Sequence, residues 1–259
     1  MTINHIIFDL DNTLYPASSA MNDGITRRML ECVAEFFGCS MEKAVELRRE
    51  RIVHFSTTLE WLRSEGLADI ERFLAHVHPT NEADELLPQP GLREFLQTIK
   101  IPISVLTNSP HEHADRVLEK LGIADLFTAV TDVRDAQFYG KPWPNSYLAA
   151  LKKSDTDIQS TLFVDDMIKY TDGWCALGGT SILIGNQNGK ALSSDAKSMQ
   201  EAKRIYKQMK GKSRIKKMPS EKKESEFDST GIPGKTFRLN SIYELITLPE
   251  LNGIFTPRF

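Results

Sequence analysis

The sequence predicts an α/β fold, a Rossmann-like parallel sheet core interrupted by an inserted α-helical segment. Three observations carry that expectation. Five short β-rich runs recur along the chain, at His5–Phe8, Ile103–Leu106, Ala129–Thr131, Thr161–Val164 and Thr180–Ile184. Helical patterns separate the later runs, and strands alternating with helices imply a parallel sheet with crossover helices. Between Ala17 and Leu87 there is no convincing strand, only apolar residues at helical spacing.

The strand runs are hydrophobic throughout rather than alternating, as expected where both faces of a sheet are covered. Leu92, Phe95, Leu96 and Ile99 form one helical stripe, and Ala114, Val117, Leu118 and Leu121 form another. Within the strandless stretch, Met29, Val33, Phe36 and Phe37 share a helical face. Leu59, Leu62, Ile70, Phe73, Leu74 and Val77 suggest two further helices. "LLPQPG" at Leu86–Gly91 marks the return to the sheet. The expected division is a core of residues 1–15, 90–188 and 235–259, a helical cap of 16–89, and a basic insertion of 189–234. Lys197–Glu224 carries eleven Lys/Arg against three Glu, with Met199, Ala202, Ile205, Tyr206 and Met209 on one stripe. The polar residues beyond are expected to be partly mobile. "KTFRL" at Lys235–Leu239 reads as a last strand and Ser241–Leu245 as a short helix.

A net charge of −3 gives no global attraction to nucleic acid or acidic membranes. The Lys-rich segment has one aromatic residue, Tyr206, and no nucleic-acid-binding motif, so no specific nucleic-acid binding is expected. The first fifteen residues lack the basic flank of a signal peptide, and no run approaches a membrane span. Cys32, Cys39 and Cys175 are odd in number and form no C-x-x-C pair, which argues for buried reduced thiols. A cytoplasmic protein is the expectation.

Open parallel sheets bind ligands at the carboxyl ends of their strands. There the sequence places Asp9 and Asp11 after the first run and Thr107-Asn108 after the second. Lys141, in "YGKPWP", follows the third, and Asp165-Asp166 ends the fourth. In a continuing strand, residues i and i+2 point the same way, so Asp9 and Asp11 are expected to share a direction. Carboxylates, a hydroxyl, an amide and an ammonium together suit phosphoryl transfer through an aspartyl phosphate. One Asp attacks phosphorus, a second acid serves the leaving alkoxide and then water, and Lys and Thr take phosphoryl charge. Mg²⁺, which prefers oxygen ligands, would be held by carboxylates of the first and fourth strand ends. Each piece alone has a plainer reading: D-x-D as a solvated strand end, Lys-Pro as loop, Thr107-Asn108 as a helix cap. Their occurrence in order, each after a strand, favours chemistry.

With these motifs the chain resembles the haloacid dehalogenase superfamily of phosphohydrolases. D-x-D-x-T matches Asp9, Asp11 and Thr13; Thr107, Lys141 and Asp165-Asp166 match the three later motifs. The resemblance implies Asp9 as nucleophile and Asp11 as acid/base. It implies Mg²⁺ on the Asp9 carboxylate, the Asp11 backbone carbonyl and chiefly Asp166, with Asp165 acting directly or through water. It also implies a type 1 cap at the insertion. "FDLDNTLYP", "STTLEWL" at Ser56–Leu62 and Phe73–Leu96 resemble the pyrimidine 5'-nucleotidase branch. The implied substrate is a small phosphorylated compound, a pyrimidine nucleoside 5'-monophosphate. The chain departs from the pattern after Asp166, where "MIKYTDGW" puts Met167 and Tyr170 in place of a small residue and an Asn or Asp.

Asn108, Thr57 and Thr58 are the candidate substrate contacts, with His54 and His78 as further polar residues of the cap. All of these also cap helices or face solvent in many proteins. Trp61, on a helix, reads as core rather than as a base-stacking platform. His76 and His78 have a ligand-like spacing but no third ligand in view, so a metal pair is rejected. Another small-molecule phosphatase or a phosphomutase shares these acids, a dehalogenase has no need of Asp11, and a catalytically silent binding protein leaves the whole set unexplained.

Overall fold

The computed structural model describes residues 2–16, 20–185 and 234–256. The basic stripe from Met199 to Met209 and the polar residues after it lie outside the described residues. Six parallel strands form one sheet in the order β3-β2-β1-β4-β5-β6. They are β1 (His5–Phe8), β2 (Ile103–Leu106), β3 (Val130–Thr131), β4 (Thr161–Asp165), β5 (Thr180–Ile184) and β6 (Thr236–Leu239). Among the described residues no helix is long and apolar enough to cross a membrane.

Alternation along the strands divides the core. Ile6, Phe8, Val105, Leu162, Val164 and Ile182 face one apolar cluster, which runs on into the inserted helices. Ile7, Leu106 and Phe163 face the other, against Tyr147, Ala150 and Leu151 of α7 (Pro144–Lys153) and Trp174 of α8 (Ile168–Ala176). Phe8 pairs with Val164, so Asp9 and Asp165 stand level, one residue further along. Period two puts Asp9 on the side of Ile7 and Asp165 on the side of Phe163.

Among the described residues, the stretch after β1 where a helical insertion was expected holds four α-helices: α1 (Ala20–Phe37), α2 (Met41–Arg51), α3 (Thr58–Ser64) and α4 (Ile70–Val77). Ser40, Thr57 and Asp69 open the last three, each side chain accepting from the backbone N–H three residues on. The apolar pattern did not indicate α2, because Ala44 is its sole fully buried residue, Leu47 packs only in part against the core, and Met41 and Val45 are exposed. The chain returns to the sheet through a 3₁₀ turn at Glu82–Glu85 and α5 (Leu92–Leu96). Then α6 (His111–Lys120) follows β2. The short helix expected after the last strand is a 3₁₀ helix, Ile242–Thr247.

Trp61 is buried and stacks on Phe37 at 5.4 Å, a core role as expected. The three cysteines are free but only partly buried, less so than expected for core thiols.

Phe163 packs between Tyr147 (5.6 Å) and Trp174 (5.3 Å), under the Lys141 ammonium. Phe163→Ala should therefore lower the free energy of unfolding in urea by about 3–5 kcal/mol. A loss below about 1 kcal/mol would show that this second cluster does not carry the sheet.

Candidate active site

The β1 ladder extends one residue beyond the strand, through Asp9 N–H to the Val164 carbonyl at 2.8 Å. The chain then turns. Asn12 takes a left-handed conformation (φ 68°), which Asn tolerates better than most residues, and Leu14 N–H closes on the Leu10 carbonyl at 3.1 Å. The turn brings the Thr13 hydroxyl back onto Asp9 Oδ2 at 2.9 Å. It also corrects the expectation that Asp9 and Asp11 share a direction. The strand ends at Phe8, Asp11 lies in the turn, and the two carboxylates have different partners.

Asp9 faces the Lys141 ammonium, which donates to Asp9 Oδ1 and to Asp165 Oδ2, the latter at 2.7 Å. All three side chains are buried. Burial pushes the Asp9 and Asp165 carboxyls up and the shared ammonium works against it, while the two acids hold Lys141 protonated. Asp165 Oδ1 accepts from Met167 N–H at 2.8 Å, so both its oxygens are engaged. Asp166 is half-buried beside a cleft of about 410 Å³ also lined by Asn12, Thr13 and Tyr15. Burial, with Asp9 adding to it, pushes the Asp166 carboxyl up to about 7. Asp9, Asp165 and Asp166 bring carboxylate oxygens within 4.8 Å of one another. A set of three hard oxygen donors suits a divalent cation such as Mg²⁺.

Lys141 is held by its own backbone. Asn108 Oδ1 accepts from Lys141 N–H at 2.6 Å, and Asn108 Nδ2 donates to the Lys141 carbonyl at 3.1 Å. A Cβ on Gly140 would overlap Asn108 Oδ1, so the close approach requires glycine there. Thr107 Oγ1 accepts from Ser109 N–H at 3.0 Å, and its own hydroxyl proton remains to be donated.

Asp11 belongs to a second buried cluster. Its Oδ1 accepts from the Tyr15 hydroxyl (2.6 Å) and His113 Nε2 (2.7 Å), and its Oδ2 from the Ser109 hydroxyl (3.0 Å). Burial would raise the Asp11 carboxyl, but the His113 charge and these bonds outweigh it and hold it well below the usual range. Burial would likewise depress His113; the Asp11 and Glu82 carboxylates overcome it and push the ring up to about 10. His78 lies 4.6 Å from His113, centroid to centroid, and is depressed by burial and by that neighbouring charge. His78, Glu82 and His113 have the spacing of metal ligands. Yet Glu82 already accepts from Arg116 at 2.7 Å and has Arg28 at 3.8 Å, and both His113 nitrogens face carboxylates. The cluster is a charge-balanced network, and a cation there would have to displace positive groups. His76 stands apart, on Glu31 at 3.0 Å, so the sequence pair His76/His78 does not assemble.

Of the other insertion candidates, Thr57 caps α3 by accepting from Glu60 N–H at 3.0 Å, and Thr58 accepts from Arg48 Nε at 3.0 Å. His54 is exposed. On one side the insertion meets the sheet domain through Trp143 Nε1 donating to Glu60 (2.9 Å) and through Lys169 Nζ and the Tyr170 hydroxyl reaching the Ser56 carbonyl (3.3 and 3.4 Å). Tyr170, one of the two positions read as departing from the resembled pattern, has Lys141 Nζ 5.0 Å and Lys169 Nζ 4.9 Å from its ring centroid.

A profile described as hydrolase, haloacid dehalogenase-like hydrolase, matches residues 3–169, which span β1 to the start of α8 and every group just described except Tyr170. The chain belongs to the haloacid dehalogenase-like hydrolase family. Among curated relatives, a phosphoglycolate phosphatase of Agrobacterium fabrum is 33% identical over 101 residues, covering 38% of this chain and 42% of that protein. Phosphate metabolism protein 8 of Saccharomyces cerevisiae is 26% identical over 178 residues, covering 61% and 54%. The chain thus spans about half the length of the curated relatives it matches. Two solved structures share the fold. L-2-haloacid dehalogenase from Xanthobacter autotrophicus has a TM-score of 0.53 at 16% identity, over 95% of this chain and 98% of the other. CbbY from Rhodobacter sphaeroides has a TM-score of 0.54 at 16% identity, over 75% and 92%.

Sequence reasoning about this family member missed His113, Glu82, Tyr15 and Ser109. One signal was available: His113 lies four residues before Val117, on the buried stripe of α6, where a polar side chain needs a partner. Asn108→Ala would strip the Lys141 backbone of two hydrogen bonds. It should cost about 1–3 kcal/mol in urea unfolding, and an unchanged midpoint would mean that water replaces the clamp at no cost.

Proposed function

We propose that the chain is a divalent-cation-dependent phosphomonoester hydrolase that works through an aspartyl phosphate on Asp9. The observation that carries this reading is the environment of the two Asp residues. Asp9 shares an ammonium with Asp165 in a buried acidic site, while Asp11, two residues on, is held by separate donors. Paired carboxyls in unlike environments suit a nucleophile and an acid/base. The similarity to a phosphoglycolate phosphatase supports the reaction class.

In the first step an Asp9 oxygen forms a bond to phosphorus as the ester P–O bond breaks, and the departing alkoxide takes a proton from Asp11. Asp11 is ionised in the state described; as the phosphate dianion binds, the added negative charge raises its proton affinity and it takes up from solvent the proton that it then gives to the alkoxide. In the second step Asp11 takes a proton from water as the water attacks the acyl phosphate, freeing Asp9 and inorganic phosphate. Lys141 and Thr107 donate toward phosphoryl oxygens. Mg²⁺ held by Asp9, Asp165 and Asp166, with the Asp11 backbone carbonyl, would supply the countercharge that lets an anionic nucleophile approach an anionic substrate.

The helical insertion then serves as the cap that selects the leaving group. We assign pyrimidine nucleoside 5'-monophosphates as substrates, on the resemblance of "FDLDNTLYP", "STTLEWL" and Phe73–Leu96 to that branch. Other small phosphate esters, or a phosphomutase exchange, fit the reacting groups equally well. A phosphate-release assay over nucleotides, sugar phosphates and phosphoglycolate, with sugar bisphosphates tested for isomerised product, separates these. Asp9→Asn should remove several powers of ten from kcat while the circular dichroism spectrum is kept. Turnover near the wild-type level in that variant would exclude the covalent route.

A cation must compete with the proton on Asp166, whose carboxyl stands at about 7 without it. Below pH 7 the acid form predominates, so cation binding should release up to about one proton and the apparent Kd for Mg²⁺ should rise about tenfold per pH unit lost. Above pH 7 both effects should fade. Calorimetry at pH 6 and pH 8, in two buffers of different ionisation heat, measures this; a pH-independent Kd would place the cation away from Asp166.

A further inference from the structure

Asp11 is joined to the helical insertion through one buried ring. His113 Nε2 lies 2.7 Å from Asp11 Oδ1, and His113 Nδ1 lies 2.7 Å from Glu82 Oε1. A carboxylate oxygen faces each ring nitrogen at hydrogen-bond distance, so the plane and tilt of the ring are set from two sides. Glu82 is itself fixed, by Arg116 Nη2 at 2.7 Å on Oε1 and by His78 Nδ1 at 3.0 Å on Oε2. Arg116 also reaches the His78 carbonyl at 3.0 Å, and Arg28 of α1 donates to the Val77 carbonyl at 2.8 Å. These groups gather α1, the end of α4 and α6 around the 3₁₀ turn by which the insertion rejoins the sheet. His113 and Glu82 are both buried, so neither can exchange its partner for water.

We propose that His113 is the positioning residue for the acid/base carboxylate Asp11, and that its Glu82 anchor ties the aim of Asp11 to the seating of the helical insertion. Proton transfer to a leaving alkoxide needs the acid within hydrogen-bond reach of one oxygen. Asp11 stands on a turn after its strand has ended, where the ladder no longer restrains it. Tyr15, in the same turn, and Ser109, after β2, each give it one hydroxyl bond; His113 gives the one bond whose donor is fixed in turn by the insertion. A shift of the insertion moves Glu82, hence the ring, hence the carboxylate.

The role rests on the phosphatase reading, and the tests separate the two. Steady-state kinetics of wild type, His113→Gln, Glu82→Gln and the double variant are compared on a nucleoside monophosphate and on p-nitrophenyl phosphate. The alkoxide needs a proton and the nitrophenolate does not. His113→Gln should lower kcat on the nucleotide by about 10²-fold and on the activated ester by less than about tenfold, with KM within about threefold. Glu82→Gln should show the same selectivity in smaller measure, and the double variant should be no worse than His113→Gln, because both act along one path. Equal losses on both esters, or additive losses, would make His113 a merely structural residue and overturn the inference. If His113→Gln does not fold, Glu82→Gln carries the comparison. If wild type releases phosphate from no ester, the phosphatase reading fails on its own. Nitrogen-15 spectra of the imidazole-labelled protein then decide: two slowly exchanging ring protons on His113, one lost in Glu82→Gln, support the anchor, and a freely exchanging ring refutes it.

Discussion

Much of this structure depends on one ammonium. Lys141 is buried between Asp9 and Asp165, and a charge in that place is tolerable only because two carboxylates meet it. The register that pairs Phe8 with Val164 sets those carboxylates level. Asn108 grips the Lys141 backbone from the end of β2, and Phe163 lies beneath the ammonium. Strands β1, β2 and β4, adjacent in the sheet, therefore converge on a residue supplied by the loop after β3. Two acids and one base leave a negative balance, and Asp166 adds to it, which is the electrostatic condition for holding a divalent cation.

Asp11 is built on a different principle. It shares no partner with Asp9, and its ring of donors reaches across α6 to the insertion. Nucleophile and acid/base thus lie two residues apart in sequence but in separate hydrogen-bond networks. The seam on the far side repeats the arrangement in weaker form, with Trp143 on Glu60 and Lys169 and Tyr170 on the Ser56 carbonyl.

What could be read from the sequence follows from which forces leave a local trace. Five strands show as apolar runs because both sheet faces are covered, and the sixth as "KTFRL", although its residues are only partly buried. Helices α1, α3 and α4 show as stripes; α2 leaves none, since it fully buries Ala44 alone. The acids and Lys141 were legible as residues at strand ends. The direction of Asp11 was not, because it turns on where β1 stops and on the left-handed Asn12. Capping by Thr57 was among the readings its residue type offered, whereas the role of Asn108 as a backbone clamp was not, because it rests on a three-dimensional partner. The network at Glu82 joins residues 11, 82 and 113, and no spacing rule spans such separations.

The clamp on Lys141 has a consequence for how this sequence is free to drift. Asn108 occupies the space a side chain at position 140 would need, so Gly140 cannot gain a side chain while Asn108 keeps its place. Any lineage that acquired a side chain at 140 must first have shortened residue 108, and would then need another way to hold the lysine loop. Positions 108 and 140, 32 apart in the chain, are thus coupled, and a side chain at 140 beside Asn at 108 should be the rare combination.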